Sequence, residues 1–280
     1  MTRDETTLPD ETAIGRVSLR VTDLDEVVRF YERVVGLAVL GYTGEGATLG
    51  AGGEPLLELV PTPDAPERGR SEVGLFHTAL LVPSRQALAD ALARIERHTT
   101  LVGASNHLVS EALYFEDPEG NGIEVYRDRP RSEWPIEGDR IGIDTLPLAL
   151  DDLREQARRT DSVRDGTTVG HVHLEVSSIP RAREHYVDTL GFSVTQSYDS
   201  SGLFVAAGGY HHHVGLNVWN DRTDPPTGRG LDWFEVVLPN EAAVSTVRDR
   251  LVAADTEITD TEDGFTVTDP DGITVRLSQG

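Results

Sequence analysis

Residues 14–21, Ile14-Gly15-Arg16-Val17-Ser18-Leu19-Arg20-Val21, return as residues 169–176, Val169-Gly170-His171-Val172-His173-Leu174-Glu175-Val176. The offset between Arg16 and His171 is 155 residues, and it continues through Phe30-Tyr31 and His185-Tyr186 to Gly36-Leu37 and Gly191-Phe192. Both copies then reach a glycine pair, Gly52-Gly53 and Gly208-Gly209. Self-similarity on this scale marks a duplicated structural unit. Each copy also divides in two, because His77-Thr78-Ala79-Leu80-Leu81-Val82-Pro83 and Trp233-Phe234-Glu235-Val236-Val237-Leu238-Pro239 open second segments of the same kind.

Every quarter begins with a strand-like run, such as Val17, Leu19 and Val21 alternating with Ser18 and Arg20. An amphipathic helix follows. In the first quarter it starts near Asp23 and carries Val27, Val28, Tyr31 and Val34 on one side; in the second it follows Pro83-Ser84 with Leu88, Ala91, Leu92 and Ile95. Short β-rich runs come next (residues 47–50, 56–60, 112–115 and 123–126), and Asp117-Pro118-Glu119-Gly120 and Asp269-Pro270-Asp271-Gly272 read as turns before a last strand. The expected fold is α+β: four tandem βαβββ modules in two duplicated domains, with curled mixed sheets forming clefts. The expected boundaries are a first domain over residues 1–127, a connector over 128–168 with one short helix around Leu148 to Arg159, and a second domain over 169–280.

Composition narrows the partners. All 25 basic residues are arginine, against 48 acidic ones, giving a formal net charge of -23 over 280 residues. Such a surface repels phosphate backbones and anionic lipid, so neither nucleic acid nor a membrane is an expected partner. Cysteine is absent, which removes disulfides, thiolate metal sites and a cysteine nucleophile. No stretch approaches the ~18 apolar residues of a membrane span, and the acidic first 13 residues lack a signal-like apolar region. The cytoplasm is the expected location, and the lysine-free acidic balance suits a saline, halophilic one, where short-range screening tames self-repulsion.

The four-fold plan, with Phe-Tyr…Gly-Leu closing the helix and Asp-Pro-x-Gly before the last strand, resembles the vicinal oxygen chelate (glyoxalase/bleomycin resistance/dioxygenase) superfamily. Residues 106–124, with Asn106-His107, Tyr114 and Asp117-Pro118-Glu119-Gly120-Asn121-Gly122-Ile123-Glu124, and residues 209–217, with His211-His212-His213-Val214-Gly215-Leu216-Asn217, are similar to the catechol-2,3-dioxygenase (type I extradiol) branch. That resemblance implies Fe(II), with Mn(II) or another divalent metal as the alternative, held by His77, His171 and Glu124. Two histidines and one carboxylate suit such an ion and leave coordination positions open. It further implies His212 as the acid–base histidine, Tyr114 as a hydrogen-bond donor to a substrate oxygen, and His107 as a neighbour of that tyrosine in the oxygen pocket. His173, two residues from His171, shares its strand face, whereas His98, His185, His211 and His213 read as structural or surface residues.

The resemblance implies extradiol ring cleavage of a catechol-like aromatic diol by dioxygen, in aromatic catabolism. A glyoxalase- or epimerase-like isomerase on the same metal, or a metal-free small-molecule-binding protein, are the alternatives. Oligomeric state stays open, a homo-oligomer included. One departure is informative: Arg16, Trp233 and Arg276 stand where the ligand pattern would require His, His and Glu. A guanidinium does not ligate a cation. The expected working site therefore joins the second quarter to the third, across the domain boundary as in a hydroquinone-cleaving branch of the superfamily, and the cleft between the first and fourth quarters holds no metal.

Overall fold

The computed structural model describes residues 7–138 and 140–280. The first module comprises β1 (Ala13–Val21), α1 (Leu24–Phe30), β2 (Ala38–Thr43), β3 (Gly46–Ala51) and β4 (Glu54–Pro61); the second comprises β5 (Gly74–Leu81), α2 (Arg85–His98), β6 (Gly103–Asn106), β7 (Ser110–Glu116) and β8 (Gly122–Asp128). The connecting segment contributes three two-residue strands, β9 (Ile136–Glu137), β10 (Arg140–Ile141) and β11 (Leu146–Pro147), and α3 (Leu150–Gln156). The third module follows as β12 (Thr168–Glu175), α4 (Ile179–Arg183), β13 (Ser193–Tyr198), β14 (Gly202–Ala206) and β15 (Val214–Asn217). The fourth is β16 (Gly230–Leu238), α5 (Glu241–Ala253), β17 (Ile258–Thr261), β18 (Gly264–Thr268) and β19 (Thr274–Gln279). This is the α+β fold of four βαβββ modules that the repeat implied.

Local chemistry explains the recurring strand-to-helix junction. Asp23, Ser84, Ser178 and Asn240 each cap their helix by accepting from the backbone N–H three residues on, satisfying a donor that the first turn leaves free. In both odd-numbered modules the helix runs on into a π-type turn, Tyr31–Val35 and Glu184–Thr189. The chain then leaves through Gly36 and Gly191, whose φ values of 86° and 93° suit a residue without Cβ.

The two modules of each half are tied through a buried tyrosine. Tyr31 donates to Asp117 and Tyr186 to Asp269, at 3.4 and 3.1 Å, and each aspartate also accepts backbone N–H groups within its own Asp-Pro-x-Gly turn. The sheets, by contrast, are built across the halves. One has the order β17-β18-β19-β16-β1-β4-β3-β2 and joins modules four and one; the other, β11-β6-β7-β8-β5-β12-β15-β14-β13, joins modules two and three. Its central pair is β5 with β12, antiparallel, with His77 opposite His173 and Ala79 opposite His171. The parallel pair β5 and β8 sets Glu124 opposite Ala79. Because side chains alternate between faces, His77, Ala79, Glu124, His171 and His173 all project from one face of this sheet.

The connecting segment is more structured than one helix. Besides α3, it adds β11 as an edge strand beside β6, and β9 and β10 form a separate ribbon. Strands of two residues are too short to show an alternating pattern, so only pairing with a neighbour reveals them.

Candidate functional site

The face shared by modules two and three encloses a cavity of about 450 Å³ whose lining includes His77, His107, Tyr114, Glu124, His171 and His212. All six residues singled out in the sequence therefore meet in one place. His77 Nε2 and His171 Nε2 lie 2.9 and 3.2 Å from the same oxygen, Glu124 Oε2. All three side chains are buried. Adjacent ligands of a six-coordinate ion at about 2.1 Å stand about 3 Å apart, so these separations fit a divalent first-row metal. His77 Nε2 is out of line for a hydrogen bond to Glu124 and is a buried nitrogen without a hydrogen-bond partner among the described residues. An orphaned acceptor of this kind is costly unless a ligand satisfies it. The three are the one group of potential ligands that converges in this way among the described residues.

Ala79 makes room for this arrangement. It sits between His171 on one side and Glu124 on the other, and its methyl group leaves the space between their donor atoms open. The protonation pattern also suits a cation. Burial pushes the His171 imidazole down to about 4 despite the attraction of Glu124. Burial alone would raise the Glu124 carboxyl, but His171 and His77 beside it hold it well below the usual carboxylate range. Neutral imidazole and ionised carboxylate are the forms that ligate metal.

Two hydrogen-bonded chains flank the three. His107 Nδ1 lies 2.7 Å from the Asp144 carbonyl, which can only accept, so this nitrogen carries the proton and Nε2 is free to accept. Tyr114 OH, at 2.7 Å, donates to it. Tyr114 stays protonated, since burial first and the Glu124 charge second raise its pKa well above the usual value. On the other side His212 packs its ring 4.0 Å from that of His171, and burial lowers its pKa well below the ordinary histidine value. Its Nδ1 pairs with His211 Nδ1 at 2.7 Å, and His211 Nε2 pairs with Asp128 Oδ1 at 2.9 Å. Tyr210 OH donates to the other Asp128 oxygen at 3.0 Å and lies 2.8 Å from Tyr126 OH.

His211 is thus not a surface residue; it is fully buried between Asp128 and His212. Asp128, Tyr126, Tyr210, Phe76 and Trp219 were not singled out in the sequence either. A signal for two of them was present, since Glu124, Tyr126 and Asp128 alternate along β8 and so share Glu124's face. His173 also lines the cavity, with its ring 4.9 Å from His77, and Asn217 Nδ2 donates to its Nε2 at 3.1 Å. His185 and His213 are buried, the latter accepting from the Ala207 N–H at 3.1 Å.

The corresponding face of the other sheet is chemically opposite. Glu235 stands there opposite Arg276 in the register that Ala79 and Glu124 occupy. Its carboxylate takes Arg16 Nε at 3.0 Å and Ser278 Oγ at 2.8 Å, with Arg276 Nε at 3.9 Å, while Arg16 also reaches Glu58 at 2.7 Å. Both guanidinium groups lie over the Trp233 ring, at 5.7 and 5.3 Å. Ion pairs and cation–π contacts fill this face, and among the described residues no ligand set remains on it.

The family model described as the Glyoxalase/Bleomycin resistance protein/Dioxygenase superfamily matches residues 13–125 and 168–277. The chain belongs to this superfamily. It is 43% identical to a catechol-2,3-dioxygenase of Bacillus subtilis (strain 168) over 278 residues, covering 95% of this chain and 96% of that protein. Solved structures share the fold: a crystal structure of a protein from Bacillus subtilis has a TM-score of 0.64 at 15% identity, covering 98% of this chain and 86% of the other. Glyoxalase I from Zea mays has a TM-score of 0.59 at 15% identity, covering 96% and 92%. Among the described residues no helix is long and apolar enough to cross a membrane.

Proposed function

We propose that the protein is an Fe(II)-dependent extradiol dioxygenase that opens the ring of a catechol-like diol, working in the cytoplasm. The observation that carries this reading is the convergence of His77, His171 and Glu124 in one cavity with Tyr114, His107 and His212 around them. The 43% identity to a catechol-2,3-dioxygenase supports it. His77, His171 and Glu124 would hold the iron, which when bound brings diol and dioxygen together and lets electron density pass between them.

The chain's own groups manage protons and position. His211 offers its proton-bearing Nε2 to the Asp128 carboxylate, so its Nδ1 is an acceptor and the proton between the two rings sits on His212 Nδ1. The remaining nitrogen of His212, Nε2, is then a lone-pair base able to take a hydroxyl proton of the diol and return it later. Tyr114 stays protonated, and when the diol binds its one O–H would turn from His107 Nε2 to the second substrate oxygen. The buried histidines and the apolar walls of the cavity keep bulk water from the reacting carbons.

The test is to load the purified protein anaerobically with Fe(II), add catechol, admit air and follow the absorbance of the ring-opened semialdehyde. The expected result is turnover that tracks iron content. Fully iron-loaded protein that opens no ortho-diol would overturn the reading, and turnover of a thiol adduct of a 2-oxoaldehyde would replace it with an isomerase.

A further inference from the structure

We propose that the cavity takes an uncharged ortho-diol bearing an apolar alkyl or aryl ring substituent, and that Trp219 at its mouth selects that substituent. The inference rests on the ring-cleaving reading for the diol end of the substrate and on the outer wall of the cavity for the other end.

The outer wall is aromatic and fixed. Trp219 follows the last residues of β15, and its backbone N–H is held by Asn217 Oδ1 at 3.1 Å. Its indole meets Phe76 and His173 edge-on, at ring separations of 5.6 and 5.2 Å. His173 in turn stands 4.9 Å from His77. Two ring contacts therefore lead from His77 to the indole, so the aromatic wall runs from beside the candidate metal ligands to the outer edge of the cavity. Yet 48% of Trp219 remains exposed, and Val102, which also lines the cavity, is 68% exposed. Folding leaves this apolar surface uncovered, and an apolar substituent removes it from water.

The charge of the lining argues the same way. Among the described residues that line the cavity there is no arginine, in a chain whose 25 basic residues are all arginine. Apart from Glu124, whose charge the bound cation would offset, the carboxylate of the lining is Glu116, which is of the wrong sign for an anionic substituent. A carboxylated diol would lose hydration at whichever ring position bears the charge and find no guanidinium in exchange. Salt screens the long-range repulsion from a net charge of -23, but it does not restore that lost hydration.

The experiment compares kcat/KM of the iron-loaded protein in molar KCl for catechol, 4-tert-butylcatechol and 3,4-dihydroxybenzoate, alongside anaerobic titrations read by tryptophan fluorescence. The tert-butyl compound is expected to exceed the benzoate by at least about a hundredfold in kcat/KM, and to bind more tightly in the titration. Trp219→Ala should cut the preference for tert-butylcatechol over catechol about tenfold. Thr145→Arg, which places a guanidinium on an exposed rim position of the lining, should raise use of the benzoate. Equal use or equal binding of the benzoate, or an unchanged preference in Trp219→Ala, would refute the inference. If the titration shows the expected selectivity while no diol is opened, the ring-cleaving reading fails and the binding inference stands.

Discussion

His211 Nδ1 and His212 Nδ1 lie 2.7 Å apart, and a single proton must serve both nitrogens. The Asp128 carboxylate behind His211 decides where it sits, because it claims the proton on His211 Nε2 and leaves His211 Nδ1 as the acceptor. His212 is thereby held in the tautomer that presents a basic Nε2. His211→Phe keeps an aromatic ring but removes both bonds. We expect kcat to fall about 10- to 100-fold, within the range that general acid–base groups contribute, with KM changed far less and iron content unaltered. An unchanged kcat would mean that His212 is positioned by packing alone. His211→Gln, which can still accept from His212, should recover part of the loss.

Metal content should follow the sheet pairing. His77→Ala and His171→Ala each remove one of three ligands from opposite halves of the chain, so both are expected to lose iron to the same extent. Arg276→Ala lies on the face filled by Glu235, Arg16 and Trp233 and should retain one iron per chain. Metal analysis after gel filtration distinguishes the two classes. Retention by His171→Ala, or two tightly held ions per chain, would contradict the site.

The features that carry this site differ in how far they could be read from residue order. The repeat was visible because His171 and Arg16, or Tyr186 and Tyr31, occupy equal places in equal modules. The pairing of module two with three followed from chemistry, since Arg16 cannot serve where His171 can. Register was less accessible. That Ala79 stands between His171 and Glu124, and that Glu235 takes its place on the other sheet, depends on strand pairings between segments far apart in the chain. Asp128, the first residue of the expected connector, instead closes β8 beneath His211, and only the alternation from Glu124 hinted at it. Trp219 lies past the end of β15 with no periodic neighbour, so nothing local to it revealed a wall of the cavity.

Salt should govern stability. With a net charge of -23 and no lysine, acidic groups repel one another over the surface. The screening length falls from about 10 Å at 0.1 M salt to about 3 Å at 1 M. The melting temperature is expected to rise steadily between low and molar KCl, and more than it does with an equal concentration of an uncharged osmolyte. A midpoint indifferent to KCl would remove the halophilic reading.

His185 offers a separate handle on pH. It takes the helix position that Phe30 holds in the first module, is only 7% exposed, and its Nε2 has no hydrogen-bond partner among the described residues. Burial lowers its pKa from 6.5 to about 4. The unfolded chain therefore binds this proton at a pH where the folded one refuses it. Between these two values stability must fall as pH falls, by up to a few kcal/mol for a shift of this size, while above pH 6.5 the contribution is complete. Other buried histidines, among them His213 with a pKa lowered to about 3, act in the same direction, so one substitution removes one share. His185→Phe, which copies the first module, deletes the titrating group and keeps the aromatic ring. Its melting temperature should match or exceed that of the parent at pH 7.5 and lose visibly less on acidification to pH 4.5. Parallel melting curves across that range for parent and variant would show that His185 is hydrated in the folded state.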